Sequence, residues 1–412
     1  MKALLQPPLV DAAFLADPYP TYRALRDAGP LHWSEEFFGG AWLLTRHADV
    51  EAVLRDTRFS AQRTGGWIND VEVQRGEFAP FQRLFSRALL FLDAPEHTRV
   101  RGLMQAAFRP DALATLRPRI ERIADTLLDA IDPGVPFDFM ASVARVLPVR
   151  VISMLLLGTP QAAGAPLMHW SDDLAAFIGA PQPTRALAQR AQASLLAMTR
   201  YFTRQLDCPR ADRVGTEPPA LLDELRQARA RGALKDDAEL LSQCAMLLFA
   251  GHETTRNLLG NGLLALLTHP EQWQALQSDP ERVPGAVREL LRYDSPVQYS
   301  GRRVTTTLTL HGRQLKRGDL VLPLIGAANR DPARHPHPDR LDILRPDPGA
   351  LSFGSGTHAC LGAALTRMEA DIVLRRLLQR WPHLRLAQAP RQLRRCANPA
   401  YRGLTALPLH TR

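Results

Sequence analysis

"FGSGTHACLG", Phe353–Gly362, is the stretch on which the reading of this 412-residue chain turns. Cys360, one of only four cysteines (Cys208, Cys244, Cys360 and Cys396), follows two glycines and a histidine and opens the helical pattern "LGAALTRMEADIVLRRLLQRW". Three chemistries compete for it. Gly354, Gly356 and Ala359 satisfy a GxGxx(G/A) dinucleotide fingerprint, but that motif follows a strand in a βαβ unit, and the Pro-punctuated "HPHPDRLDILRPDPGALS" stands there instead. A nucleophilic cysteine wants a histidine base, and His358, two residues back in an extended turn, tends to point elsewhere. A metal-bound thiolate at a helix N-terminus would be stabilised by free N–H groups and the positive helix end, while Gly356 and Gly362 would let a flat, bulky partner approach the backbone. The cysteines form no CxxC pair, so neither a disulfide framework nor a structural zinc site is indicated.

Composition sets the wider bounds. The chain is 45% hydrophobic and 23% charged, ordinary for a folded protein able to bury a large core. Its net charge of +9, from 51 basic and 42 acidic residues, fits a solvated surface that docks an acidic protein; no basic tract is interleaved with aromatics, so no nucleic acid is expected. No run approaches the ~20 uninterrupted apolar residues of a membrane span. The start, "MKALLQPPLVDAAFLADPYP", does not read as a secretory signal, and a cytoplasmic protein with no membrane association is expected.

Helical periodicity dominates. "GAWLLTRHADVEAVLRDTRFS" reads as a strand leading into a helix, and the alternating "RRVTTTLTLHGRQLKRGDLVLPL" as a hairpin. The expected fold is mainly α with small β-sheets. The patches "GTEPPA", "RPDPGA" and "LAQAPRQ" mark turns rather than linkers, so residues 1–412 are read as a single domain.

Three further stretches carry candidate chemistry. Between Asp236 and Pro270 the pattern predicts a helix of about 33 residues, or about 50 Å. Its centre, "FAGHETTR", is locally unfavourable: Gly251 costs about 1 kcal/mol against alanine, which suggests that something approaches the backbone there. A polar turn on an exposed face would look the same. His252 and Glu253 mimic a zinc-binding HExxH, but Arg256 stands where the second histidine belongs, so zinc is rejected. In "ELLRYDSPVQ", Glu289 and Arg292 lie i, i+3; alone they read as a surface pair. In "DAPEHTRVRGLMQAAF", His97 and Arg101 lie i, i+4 on one face suited to a pair of carboxylates, or simply to water.

Together these stretches resemble the cytochrome P450 family, in its soluble bacterial form, from about Asp17 to the C-terminus; the motif FGxGxHxCxG is filled at every fixed position. The resemblance implies an α-rich triangular prism with haem b (iron protoporphyrin IX) between the long central helix and the cysteine-ligand helix. Cys360 would be the axial thiolate ligand of the iron. Phe353 would pack near the thiolate side of the ring, and the loop from Gly354 to Cys360, with Gly362 after it, would tune the sulfur. His97, Arg101, Arg302 and His358 would bind the propionates; Arg302 is chosen over Arg303 by counting back from "LHG". Glu253 and Thr254 would deliver protons, with Ala250 and Gly251 making room for dioxygen. Glu289, Arg292 and Arg345 would form a buried ion-pair network behind the haem. Ala94, Leu341 and the extra histidine in "RHPHPD" depart from the family pattern without touching these roles.

The implied activity is a monooxygenase acting on a hydrophobic small molecule, by hydroxylation or epoxidation, with secondary-metabolite tailoring as the setting. By position the substrate pocket would draw on Trp67, Ile68, Phe177, Ile178, Leu248, Phe249, Val297 and Tyr401. Electrons would come from a separate ferredoxin and ferredoxin reductase, in preference to flavodoxin, docking on Arg99, Arg109, Arg117, Arg367 and Arg375; the protein would be a monomer. Other haem-thiolate chemistry (isomerase, dehydratase, C–C or aryl coupling) and a non-catalytic recruitment role are the alternatives, and the presence of Glu253 and Thr254 argues against both.

Overall fold

The stretch after Asp236 forms one helix, Asp237–Leu267, of 31 residues rather than 33. Asp236 fixes its start: the carboxylate accepts from the Glu239 N–H, one of the donors that a helix N-terminus leaves open. At 1.5 Å per residue it runs about 46 Å. Both its polar and its apolar residues are mostly buried, as befits a helix through the middle of a fold. The helices Val146–Leu157, Gly164–Gly179, Arg185–Asp207, Val283–Tyr293 and Ala363–Arg380 pack around it. The computed structural model describes residues 8–63, 76–159, 164–207, 220–346 and 349–412; Trp67 and Ile68 lie outside the described residues.

One stretch, Met140–Leu157, has the length and composition to cross a membrane, with a mean hydropathy of 1.8 over 18 residues. It is 72% buried inside the protein and packs on the central helix and on Pro110–Asp129, so it is a core helix.

The sheets are small. Strand Ala41–Leu44 leads into helix His47–Arg55 as the sequence suggested. That strand lies in a five-stranded sheet ordered Leu31–Ser34, Ala41–Leu44, Leu320–Pro323, Arg302–Val304, Phe59–Ser60. The Thr/Val-rich segment is not one hairpin. Its ends, Arg302–Val304 and Leu320–Pro323, pair antiparallel inside this sheet, while Leu308–Leu310 and Arg313–Leu315 form a separate two-stranded hairpin. Pairing of Arg302 with Val321 fixes which face each arginine takes, because successive side chains on a strand alternate. Arg302 is buried, and Arg303 donates from its Nη1 to the Gly318 carbonyl at 2.9 Å.

Behind the central helix, Val283–Tyr293 carries Glu289 and Arg292, both essentially unexposed. Arg292 grips Glu289 with two bonds, of 2.7 and 2.8 Å, and donates to the carbonyls of Asn329 at 2.9 Å and Pro338 at 2.8 Å. Arg345 Nε lies 3.2 Å from Glu289 Oε2, and the Asp342 N–H donates to Oε1 at 3.0 Å. The three charges thus pin the loop that leads to Phe353, with the remaining lone pairs and N–H groups satisfied by backbone.

Candidate active site

A cavity opens between the central helix and the cysteine loop, enclosing about 1550 Å³ of empty space with its mouth included. Ala250, Gly251 and Thr254 form one wall, Phe353, Gly354, His358, Cys360 and Gly362 the other, and His97, Arg101 and Arg302 one edge. Every residue expected to touch the cofactor is therefore brought to one space. Apolar groups such as Leu247, Leu291, Ile325 and Leu365 complete its walls.

The cysteine loop is held by its own backbone. The Cys360 N–H donates to the Phe353 carbonyl at 2.8 Å, and the Gly354 N–H to Leu351 at 2.7 Å, before the helix Ala363–Arg380 begins. Gly356 has φ +74°, and a Cβ there would sit 3.0 Å from Arg55 Cα and the Leu54 carbonyl. This glycine serves the left-handed turn and contact with helix His47–Arg55, which corrects the expectation that it clears space for a flat ring. Cys360 is exposed only in the sense that its thiol faces the cavity; protein surrounds it on the other sides. Burial pushes the thiol above its ordinary value, although the Gly362 N–H pulls the other way. The helix end alone does not make a stable thiolate here; a cation at the sulfur would.

The cavity edge shows the complementary need. His97 and His358 lie against each other with ring centres 4.1 Å apart and planes tilted by 46°. Burial, then Arg302, His97 and Arg63, push His358 down to about 3; burial, then Arg63, lower Arg302 to about 9, with Asp93 opposing. Burial and Arg101 lower His97, whose Nε2 is buried with no hydrogen-bond partner among the described residues. Arg302 Nη1 donates at 2.8 Å to Ser300 Oγ and to the Gly301 carbonyl, both neutral. A dehydrated guanidinium such as Arg302, beside imidazoles that burial holds neutral, favours an anion next to it. A flat apolar group with two carboxylates at this edge and a metal cation over Cys360 fits the residues present, which is what haem b offers.

On the opposite wall, Thr254 donates to the Ala250 carbonyl at 2.9 Å and faces the cavity. A Cβ on Gly251 would lie 3.2 Å from Ile152, so glycine also lets helix Val146–Leu157 come close. Glu253 is not on this wall. Buried behind Thr254, its Oε1 accepts from Arg256 at 2.6 Å and Asn257 at 2.9 Å, and Arg256 reaches Asp172 at 2.7 Å. Burial raises the Glu253 carboxyl above its ordinary range, with Arg256 and Asn257 opposing. Asp172, His252 and Glu253 converge closely enough to suggest a metal, but the cation joining the two carboxylates is the Arg256 guanidinium.

Of the pocket candidates, Ile178, Phe249, Val297 and Tyr401 line a second chamber that continues from the first. Phe177 and Leu248 do not line either space: Phe177 packs edge-on against Phe81 and Phe85, and Leu248 is wholly buried core. Of the arginines expected to dock a partner, Arg99 pairs with Glu96 and Glu239, Arg117 with Asp371 and Arg375 with Glu281 and Asp371. Arg109 pairs with Asp111 at 3.4 Å at an exposed position, and Arg367 is exposed over the Phe353 ring.

Sequence reasoning passed over Arg63 and Glu369, and read Arg256 only as the residue that rules out zinc. Glu369 lines the cavity with burial pushing its carboxyl well up, yet in "TRMEAD" it reads as a solvated helix position. Arg256 lies i+3 from Glu253, a spacing that announces the pair once the helix is assigned.

The cytochrome P450 family model matches residues 69–396. Cytochrome P450 monooxygenase PikC of Streptomyces venezuelae is 39% identical over 416 residues, covering 98% of this chain and 95% of that protein. Polyketide biosynthesis cytochrome P450 PksS of Bacillus subtilis is 35% identical, covering 96% of each. The crystal structure of myxobacterial CYP267B1 with myristic acid superposes with a TM-score of 0.88 at 33% identity, covering 98% of this chain and 99% of that one. The chain belongs to the cytochrome P450 family, as a haem-thiolate monooxygenase carrying haem b.

Proposed function

We propose that the protein inserts one oxygen atom of O2 into a hydrophobic small molecule, by hydroxylation or epoxidation, as a tailoring step on a secondary metabolite. Residues 1–412 act as one catalytic domain, with electrons from a separate ferredoxin and its reductase. One oxygen atom enters the product and the other leaves as water, consuming two electrons and two protons. The observation that carries this reading is a single cavity that joins Cys360, a cationic edge and Thr254 to an apolar chamber. The printed names of two similar proteins support the substrate class: PksS serves polyketide biosynthesis, and CYP267B1 is recorded with myristic acid.

Haem, when bound, supplies the activation of dioxygen. Cys360 would hold the iron through its sulfur, and His97, Arg101, Arg302 and His358 would hold the two carboxylates. Apolar walls exclude bulk water. Thr254 places a hydroxyl at the cavity, and Glu253 behind it relays a proton, burial raising its carboxyl above the ordinary range against the pull of Arg256. To pass that proton on, Glu253 turns from Arg256 toward Thr254. Of the five docking arginines, the exposed Arg367, and Arg109 through its exposed pair with Asp111, offer positive charge to an acidic ferredoxin.

Thr254→Ala tests the reading. Coupling of reductant to product should fall by about tenfold or more, with hydrogen peroxide making up the balance. Full coupling in the variant removes Thr254 from the mechanism. Labelled dioxygen that leaves no label in the product would favour isomerase or dehydratase chemistry instead.

A further inference from the structure

The chamber beyond the haem cavity is bounded by an aromatic side chain whose backbone takes an unfavourable shape. The chamber encloses about 750 Å³ with its openings. Leu90, Ala250, Thr254, Val297 and Ser300 line both it and the cavity, so they mark its haem end. Phe38, Leu320, Leu322 and Ala400 line only the chamber, away from that end. The two leucines and Ala400 are buried, whereas Phe38 is half-buried. Among these four, Phe38 alone has the chamber on one side and solvent on the other.

The turn that presents Phe38 is tightly specified. It joins strands Leu31–Ser34 and Ala41–Leu44, whose pairing closes with Ser34 opposite Ala41. Phe38, Gly39 and Gly40 have φ of +52°, +74° and +140° in succession. Glycine takes such angles freely, but in phenylalanine the left-handed backbone crowds Cβ against the carbonyl oxygen, so glycine would be the relaxed choice at position 38 as well. The Phe38 N–H donates to the Pro181 carbonyl at 2.8 Å, and the Gly40 N–H to the Phe37 carbonyl at 2.8 Å. A Cβ on Gly40 would run into the Trp33 ring. Phe37 is buried edge-on against Tyr299, with ring centres 5.5 Å apart. One ring thus anchors the turn in the core while the next is turned to the chamber. A strained position that carries a bulky side chain points to a use for that side chain.

Resting on the proposed monooxygenase reading, we infer that Phe38 sets the length of substrate the enzyme accepts: its ring closes the outer end of the chamber, so an elongated apolar molecule with its reacting carbon near Thr254 must end before it. Ile178 and Phe249 line the path between. The bond to Pro181, just past helix Gly164–Gly179, fixes where the ring stands. A compact substrate held at the haem end does not feel Phe38.

Spin-state titration of the haem-loaded protein with methyl octanoate, methyl dodecanoate and methyl hexadecanoate tests this. Phe38→Ala should tighten methyl hexadecanoate by about tenfold, as further methylenes leave water, and leave methyl octanoate within about twofold. Phe38→Trp, which keeps a ring at the turn and enlarges it, should act the other way, weakening methyl hexadecanoate most and methyl octanoate least. A residue that only shaped the turn would act on every length alike, so an equal shift for all three esters, or no shift in either variant, overturns the inference. So does the failure of every ester to move the spin state. Failure of the monooxygenase reading would show separately, as a carbon monoxide complex without a thiolate signature in every variant.

Discussion

The charges around Glu289 and the charges around His97 are both buried, and they are arranged in opposite ways. Around Glu289 opposite charges sit side by side: Arg292 and Arg345 flank one carboxylate, and backbone carbonyls take the remaining guanidinium N–H groups. Around His97 like charges converge without a carboxylate between them: Arg101 and Arg302 stand at the cavity edge beside the His97 and His358 rings, and a ring nitrogen of His97 lacks a partner among the described residues. Asp294 repeats the first pattern, between Arg402 at 2.6 Å and Arg395 at 3.0 Å, with the Tyr19 hydroxyl donating to it at 2.9 Å. The difference separates scaffold from site. A self-neutralised group stabilises the fold by itself, whereas a group of like charges is stable only once something of opposite sign is bound.

The largest expected effect comes from breaking the closed network. Glu289→Ala leaves Arg292 and Arg345 buried without their anion and should cost about 3 to 5 kcal/mol, giving protein that is misfolded or free of haem. Normal haem content in that variant would put Glu289 among ordinary surface pairs. A smaller loss follows from Asp294→Asn. Burial pushes Asp294 up, but Arg402 and Arg395 outweigh it and hold the carboxyl at about 2, against an ordinary 3.8. A depressed carboxylate contributes its stability above the ordinary value and loses it as pH falls toward 2, so the unaltered protein should shed about 2 kcal/mol between pH 4 and 2. Urea titrations across that window should show a flatter acid limb for the variant. The open group should respond differently. Arg302→Met should release haem to apomyoglobin about tenfold faster, whereas Arg303→Met, on the outer face of the same strand, should release it at the unaltered rate. Equal rates in both variants would remove Arg302 from the cavity edge.

Much of this was legible in the sequence where chemistry and local pattern coincide. Cys360 sits at a loop-to-helix junction, and Asp236 caps the helix whose centre holds Gly251 and Thr254. What escaped was set by side-chain direction and by contacts distant in the chain. Glu253 and Thr254 are neighbours in sequence but about 100° apart around the helix, so one faces the cavity and the other Arg256. Phe177 and Ile178 divide in the same way between core and chamber. Arg63 looks like a solvated loop arginine until Gly301, 238 positions further on, is seen to make room for it. Three docking arginines lost their expected availability to carboxylates that only the fold brings near, such as Asp371 beside Arg117.

The central claim is that Cys360 supplies a thiolate to haem iron across a cavity whose other edge holds the propionates. A carbon monoxide difference spectrum of the reduced protein tests it most directly. The account predicts a Soret band shifted strongly to the red, lost in Cys360→His; a band at the ordinary haem-imidazole position in the unaltered protein would contradict it.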